Sequence, residues 1–437
     1  MLSIPKHSLK ILVIGGGGRE HALVWKLAQS PLVEKVFCAP GNGGTATENK
    51  SENVDIKIDE FAKLSQFCLD QKIDLTVVGP DNALAAGIVD YFKEKSLRIF
   101  GPSKAAARLE WSKSYAKQFM AKYNLPTAKF LTCNSYNDAL RIAKANAWAQ
   151  VIKVDGLALG KGVYVCNNKD SVENSLKEIF EENKFGHAAE TVLFEEKLNG
   201  EEMSLFLLCD GKDILPLAPS QDFKRRFDDD CGPNTGGMGA ISPPANYDKF
   251  KDIFFESIFK PLQTALRSEA INYQGLLYIG VLLHQDQASG QIQPKILEFN
   301  ARFGDPETQA VLLRLKSDLL PALWACTEGK LAEINLEWSE EKSCCVIAVN
   351  SDYPEKSSND KTITIPSQSP EKIIVFHAGT KLKDKNLVTA GGRVLAVVAL
   401  NAHLEQAAKK TYDYLANLNF ESMDYRKDIG RLKSKIH

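Results

Sequence analysis

Residues 10–101 read as short apolar runs separated by amphipathic stretches. KILVI (10–14), EKVFCA (34–39), DLTVVG (74–79) and RIFG (98–101) have the length and composition of strands. Between them, residues 20–29, FAKLSQFCLD (61–70) and 83–95 carry apolar positions at helical spacing. This alternation predicts a parallel sheet built from right-handed crossovers. Ligands of such sheets sit at the carboxyl ends of the strands. Three glycine-bearing loops, GGGGREH, APGNGGTA and GPDNALAAG, fall there and predict a pocket along that rim.

A different pattern begins near Ser103. SKAAARLEWSKSYAKQFMAKYN (103–124) predicts one long helix, stopped by Leu125–Pro126. Strands are expected at 150–154, 191–198, 203–209 and 212–217, and a helix with one apolar face at 246–269. GLLYIGVLLHQ and QPKILEFN predict two antiparallel strands joined by the polar turn DQASGQ. The last hundred residues hold CCVIAVN, KTITI, KIIVFHAG and RVLAVVAL, then a helix from about 402, as expected of a small β-rich domain.

Composition narrows the function classes. A chain of 437 residues that is 44% hydrophobic and 25% charged is long enough for two to four domains. A net charge of −1 with no basic block speaks against a nucleic-acid or anionic membrane surface. Nine scattered cysteines without C-x-x-C, and seven histidines without an H-x-x-x-H pair, predict reduced thiols and no zinc site. No apolar segment reaches membrane-span length, and MLSIPKHSLK lacks the core of a signal peptide. A cytoplasmic protein is expected.

The opening glycines do not make a dinucleotide fingerprint. Counted from Gly15 or Gly16, the third glycine is replaced by Glu20 or His21. A carboxylate at the helix start also disfavours a pyrophosphate. The turn still brings backbone donors close to something anionic, with Arg19, Glu20 and His21 beside it. A tight strand-to-helix turn without a ligand is the alternative.

Further on, VIKVDGLALGKGVYV places Lys153 on a strand before glycines at 156, 160 and 162. Such a loop can fold over phosphates while the lysine reaches them as a point charge, although a plain glycine-rich hairpin reads the same way. LFEEKLNGEE (193–202) offers a strand end to an adenine edge and Glu202 to ribose hydroxyls, or is only a charged hairpin. In KILEFNARFGDPETQ (295–309), Glu298 and Asn300 share one strand face, with Ile296 on that face and Leu297 and Phe299 on the other. A carboxylate and an amide oxygen suit Mg²⁺, and Arg302 follows within reach of an anion. QDFKRRFDDDCGPNTGGMGAISPP (221–244) is a long polar loop whose glycines allow close approach to a ligand.

Taken in order, VIGGGGREHAL, APGNGGTA, VIKVDGLALGKGV, EEKLNGEE, QDFKRRFDDDCGPNTGGMGA, EFNARFGDPETQ, VFHAGTK and GGRVLAV resemble the glycinamide ribonucleotide synthetase family of the ATP-grasp superfamily. The resemblance spans nearly the whole chain. It implies an α/β fold: an N-terminal Rossmann-like parallel sheet domain (1–103), an ATP-grasp domain (104–336) with a mobile lid at about 125–195, and a β-rich C-terminal domain (337–437). It implies ATP-dependent ligation of glycine to 5-phosphoribosylamine through a glycyl phosphate, with Mg²⁺ or Mn²⁺, in purine synthesis. Small molecules would be the only partners, and a monomer is expected.

The same resemblance assigns roles residue by residue. Lys153, Arg302 and Asp222 would be catalytic. ATP would meet Lys113, Lys153, Gly160, Lys161, Gly162, Glu195, Glu196, Leu198 and Glu202. The other substrates would meet Gly17, Arg19, Glu20, Pro80 and Asp81 from the N-terminal domain. From the other side they would meet Asp222, Lys224, Thr235, Gly236, Gly237, Met238, Arg302, Gly304 and Asp305. Glu298 and Asn300 would hold the metal.

Several positions depart from the family pattern. Phe223 stands where D-H-K has its imidazole, RFDDD replaces a glycine-interrupted acidic run, Asp81 replaces a glutamate, and NSDYP replaces a glycine-containing stretch near 350. The first three bear on substrate contacts. The chain ends soon after DIG (428–430), so no fused downstream enzyme is expected. Other readings are another ATP-grasp carboxylate–amine ligase, an NAD-linked oxidoreductase argued from residues 10–21 alone, and a catalytically silent ATP-binding module.

Overall fold

A computed structural model describes residues 2–156, 162–269, 271–286 and 290–431. The first sheet is parallel and five-stranded. Its strands are β1 (Leu9–Gly15), β2 (Val33–Pro40), β3 (Ser51–Asn53), β4 (Leu75–Val78) and β5 (Ile99–Phe100), in the order β3-β2-β1-β4-β5. The order reverses at β1, which puts a crevice at its carboxyl end. β1 is buried on both faces, with Leu9, Ile11 and Val13 in one core and Leu12 and Ile14 in another. The helical pattern at 83–95 forms two helices, Asp81–Ala86 and Ile88–Glu94, because Gly87 adopts φ 96° between them.

The pattern at 103–124 also divides, into helices Lys104–Trp111 and Lys113–Lys122. Ser112 leaves helical geometry (φ −125°, ψ 100°), and its hydroxyl accepts the Tyr115 N–H to restart the helix. That hydroxyl also reaches Asp155 Oδ2 at 3.0 Å, fixing the break to the chain just after β7.

β6 (Phe130–Cys133), β7 (Ala149–Val154), β8 (Val163–Val165) and β9 (Val192–Glu196) form an antiparallel sheet in the order β6-β9-β7-β8. With helices Tyr136–Ala145 and Lys169–Phe180 it encloses a small core of its own, including Ile152, Leu176, Ile179 and Phe194. A second antiparallel sheet begins with β10 (Gly200–Asp210) and β11 (Ile214–Pro216). The polar stretch after it is not irregular. It contains β12 (Gln221–Asp222), the hairpin β13 (Arg225–Phe227) and β14 (Cys231–Asn234), and β15 (Gly239–Ser242). A helical run from Tyr247 to Ser268, with a π turn at Phe255–Phe259, leads to β16 (Gln274–Gln285) and β17 (Ile292–Asn300). These complete the order β11-β10-β16-β17.

The C-terminal part holds β18 (Lys342–Asn350), β19 (Ile373–His377), β20 (Thr380–Lys383), β21 (Asn386–Thr389), β22 (Arg393–Asn401) and β23 (Met423–Asp424), with a helix at Leu404–Leu415. KTITI makes only isolated bridges, Thr362 to Val388 and Thr364 to Asn419. The main C-terminal sheet has the order β12-β15-β18-β22-β19. β12 and β15 therefore belong to it although they lie a hundred residues earlier in the chain, and Ala240 pairs with Cys345. Helices Glu307–Arg314 and Leu404–Leu415 pack on this sheet through Ser343 and Thr411, whose hydroxyls donate to Ala310 O and Cys344 O.

Candidate active site

A cavity of about 360 Å³ draws its walls from every part of the fold. Arg19 and Asp81 come from the parallel sheet, Lys153 and Glu195 from the small antiparallel sheet, Glu298 and Asn300 from β17, and Asp222 and Arg393 from the C-terminal sheet.

One end is rich in lysine. Lys153 on β7 pairs with Glu195 on β9, Nζ to Oε1 2.8 Å. Lys117 holds the other carboxylate oxygen at 3.0 Å and donates to Thr127 Oγ1 at 2.7 Å. Burial pushes Lys117 down to about 8, with Glu195 opposing it. Burial opposes the charge on Lys153 as well, but Glu195 and Glu298 outweigh it and raise its pKa. Lys113 Nζ donates to Gly156 O at 3.1 Å. Gly156 itself packs on the chain, since a Cβ there would stand 2.8 Å from Ala188 Cβ. Gly162 lines the cavity, while Gly160 and Lys161 lie outside the described residues.

β17 carries Glu298 and Asn300 into the wall, but not by simple alternation. The β16–β17 register shifts between Gly280 and Val281, inserting Leu297 as an extra residue. Leu297 consequently lines the cavity, and Ile296 is fully buried in the core with Phe299 instead of sharing the face of Glu298. Glu298 makes no ion pair among the described residues. Burial disfavours its charge, and Lys224, Lys153, Lys113 and Arg302 prevail, holding its carboxyl below the usual range.

These two oxygen donors fit a hard cation that completes its shell with water and phosphate oxygens. Among the described residues, no group of three or more His, Cys, Asp and Glu could hold a metal by itself. The wall is charge-balanced. Arg19, Lys113, Lys117, Lys153, Lys224, Arg302 and Arg393 face Asp81, Glu110, Glu195, Asp222, Glu298, Asp305 and Glu307. A polyphosphate entering it needs further positive charge.

The other end is a net of arginines and carboxylates. Arg302 Nε lies 3.2 Å from Glu110 Oε1, and Glu110 Oε2 accepts the Ala301 N–H at 2.8 Å. Asp222 and Lys224, two apart, both face the cavity and pair at 2.8 Å. Burial opposes the Lys224 charge, yet Asp222, Tyr278, Glu202 and Glu298 together outweigh it and raise the pKa well above the lysine value. Arg393 donates to Gly236 O (2.7 Å) and Asp305 O (2.8 Å) and pairs with Asp305 Oδ2 at 3.1 Å. Gly236 N–H donates to the Tyr353 hydroxyl at 2.9 Å. Gly237 (φ 114°) packs against Pro306, where a side chain would collide.

The N-terminal glycines serve the protein itself. Glu20 folds back over the turn, accepts the Gly17 N–H at 2.6 Å and pairs with Arg19 Nε at 2.6 Å. A Cβ at Gly15 would meet the Glu20 carboxyl carbon at 2.6 Å, and one at Gly17 its Oε2 at 2.8 Å. Arg19 lines the cavity, but Gly17 and Glu20 do not. In APGNGGTA, Gly41 packs on Asn53 and Thr45, Gly43 on Thr380 of the C-terminal part, and Gly44 between His21 and His377. That loop is an internal seam, contrary to the pocket expected along the rim.

Other expected contacts also lie off the wall. Met238 is a core side chain, fully buried. Pro80, Glu196, Leu198, Gly237 and Gly304 are not among the lining residues, and Glu202 is exposed, 3.4 Å from Lys224. Phe223, between Asp222 and Lys224, points the opposite way, under the Arg426 guanidinium at 5.2 Å. The acidic run is bound by the C-terminal segment. Asp228 accepts the Lys427 N–H, the Asp229 N–H donates to Asp428, and Asp230 pairs with Arg426.

The chain matches all three domains of phosphoribosylglycinamide synthetase: the N domain over residues 9–110, the ATP-grasp (A) domain over 111–308 and the C domain over 343–432. It belongs to that family. Phosphoribosylamine–glycine ligase of Caldanaerobacter subterraneus subsp. tengcongensis is 44% identical over 423 residues, 97% of this chain and 99% of the relative. The Escherichia coli K12 protein of that name is 44% identical over 97% of this chain and 98% of its own length. The crystal structure of phosphoribosylamine–glycine ligase from Thermotoga maritima superposes with a TM-score of 0.81 at 31% identity, covering 96% of this chain and all of that one. A biotin carboxylase domain from Hydrogenobacter thermophilus shares the fold at 14% identity and a TM-score of 0.70, over 96% of this chain and 92% of that one.

Within this synthetase family architecture, sequence reasoning missed Glu110, Lys117, Tyr278, Glu307 and Arg393, all in the cavity wall. Lys117 had a signal, being one helical turn after Lys113. Glu307 and Arg393 sit inside stretches already singled out, GDPETQ and GGRVLAV. Glu110 and Tyr278 carried none.

Proposed function

We infer that this chain is a phosphoribosylamine–glycine ligase, joining glycine to 5-phosphoribosylamine with ATP to give glycinamide ribonucleotide, ADP and phosphate in purine biosynthesis. The carrying observation is a single cavity that joins the lysine cluster, the Glu298–Asn300 pair and the arginine–carboxylate net, in a chain related to such ligases over its whole length.

Roles follow from charge. Lys153 and Lys113 receive the ATP phosphates, and Glu195 with Lys117 sets the direction of the Lys153 ammonium. Arg302, held by Glu110, presents its guanidinium to the glycine carboxylate, a planar match. Asp222 orients Lys224 beside it. Glycine's carboxylate attacks the γ-phosphoryl group to give glycyl phosphate, and the amine of phosphoribosylamine then displaces phosphate. Mg²⁺ or Mn²⁺, held by Glu298 and Asn300, would supply charge neutralisation at the transferring phosphoryl group. No nucleophilic side chain is needed. Water must be kept from the acyl phosphate, and the small sheet with its separate core is suited to close as a lid over the lysine end.

This reading makes the protein a cytoplasmic monomer acting on small molecules. Among the described residues no helix is long and apolar enough to cross a membrane. The test is product formation. ADP release should require glycine together with an amine acceptor, and with phosphoribosylamine it should yield glycinamide ribonucleotide by mass. Release with other carboxylate–amine pairs, but not with these, would reject the assignment.

A further inference from the structure

We propose that Glu307 is the proton acceptor for the amine that attacks glycyl phosphate in the second half of the reaction. The proposal rests on the ligase reading above. In that half-reaction the amine lone pair forms a C–N bond to the glycyl carbonyl carbon. The C–O bond to phosphate breaks, and phosphate leaves with the bonding pair. The new amide nitrogen must shed one proton, and a base in the cavity has to take it.

The wall offers seven carboxylates, and most are committed. Glu195 holds two lysines, Glu110 holds Arg302, Asp222 holds Lys224 and Asp305 holds Arg393. Glu298 stands among the lysines of the phosphate end, and Asp81 is half-exposed at the rim. Glu307 is different. It is 3% exposed, lines the cavity and makes no ion pair among the described residues. It opens the helix Glu307–Arg314, and its carboxylate is bonded by its own backbone N–H.

Space is made for it. A Cβ at Gly304 would stand 2.6 Å from Glu307 Oε2, so the glycine of RFGDPE clears the seat of this carboxylate. The groups facing it are Asp222 and Lys224 from the β12 segment, Arg302 after β17, Tyr278 on β16, and Arg393 and Cys345 on the C-terminal sheet. Burial and then Asp222 push its carboxyl up to about 7, against the pull of Lys224 and Arg302. A base poised there accepts a proton at neutral pH and can release it again.

The experiment separates the half-reactions in the full-length protein. Glycine, ATP and hydroxylamine report glycyl phosphate as glycine hydroxamate, and phosphoribosylamine generated in place reports ligation. Glu307→Gln should keep hydroxamate formation within about threefold and lose ligation by ~10²-fold or more. The acid limb of the wild-type ligation profile near pH 7 should vanish in this variant. Gly304→Ala, which displaces the carboxylate, should show the same selective loss. If Glu307→Gln is poorly folded, Glu307→Asp supplies the comparison, with ligation reduced and the acid limb retained. Equal loss of both half-reactions, or wild-type ligation by Glu307→Gln, overturns the proposal. Wild-type enzyme that forms neither hydroxamate nor glycinamide ribonucleotide overturns the ligase reading instead.

Discussion

The Lys153 ammonium stands 2.8 Å from the Glu195 carboxylate, and both are almost fully buried. Lys117 shares that carboxylate, so one anion holds two cations together. Glu195→Gln leaves both lysines without it, and removing one partner of a buried pair costs about 3–5 kcal/mol. Denaturant unfolding should show a loss of that order, and the KM for ATP should rise at least ~10-fold as Lys153 loses its direction. An unchanged unfolding midpoint would contradict this.

Glu298→Ala should lower ligation by ~10²–10³-fold, the scale of a lost transition-state charge contact. The saturable dependence on Mg²⁺ should disappear with it, while the circular dichroism spectrum stays that of the wild type. Asn300→Ala should retain the dependence but shift its midpoint to higher Mg²⁺. A Glu298→Ala enzyme with normal Mg²⁺ titration would place the metal elsewhere.

Phe223→His should restore an imidazole without restoring a substrate contact. The ring faces Arg426 rather than the cavity. Steady-state kinetics should give KM values for glycine and the amine within about twofold of wild type. Phe223→Ala should instead lower stability by ~1–2 kcal/mol, from lost burial and the cation–π contact.

His377 predicts an acid-sensitive seam. Burial, with His21 beside it, holds its pKa down at about 3. In the unfolded chain it is ~6.5, so below that pH the unfolded state binds the proton first. The contribution of the neutral ring is present above about pH 6.5 and is lost as pH falls toward 3. Unfolding free energy should therefore drop by ~1–2 kcal/mol more between pH 7 and pH 5 in wild type than in His377→Gln. Parallel pH profiles would refute this.

The parallel sheet was legible because its strands are apolar on both faces and its helices are periodic. The breaks at Gly87 and Ser112 were not, since each interrupts a continuous amphipathic pattern and only the structure shows what the break serves. Ser112 binds Asp155 and thereby ties Lys113 to the chain after β7. The lysines and the Glu298–Asn300 pair could be read because a charged residue beside glycine or on a strand face has few uses. Glu110 and Tyr278 could not, being single polar residues in apolar elements. The bulge at Leu297 depends on pairing with Gly280 and Val281, which local sequence does not encode. At the N-terminal glycines the group that local sequence does not reveal is Glu20, whose carboxyl folds back over Gly15 and Gly17.

The pairing of Ala240 with Cys345 has a consequence for how such a chain can be taken apart. Asp222 and the residues up to Ser242 hang from a sheet whose other strands are encoded more than a hundred residues later. A cut near residue 336, natural in the linear order, would strip the arginine–carboxylate end of the cavity of its backing. A chimera carrying a foreign C-terminal third would have to match this inserted ribbon edge to edge. The two regions form a single sheet despite their separation along the chain.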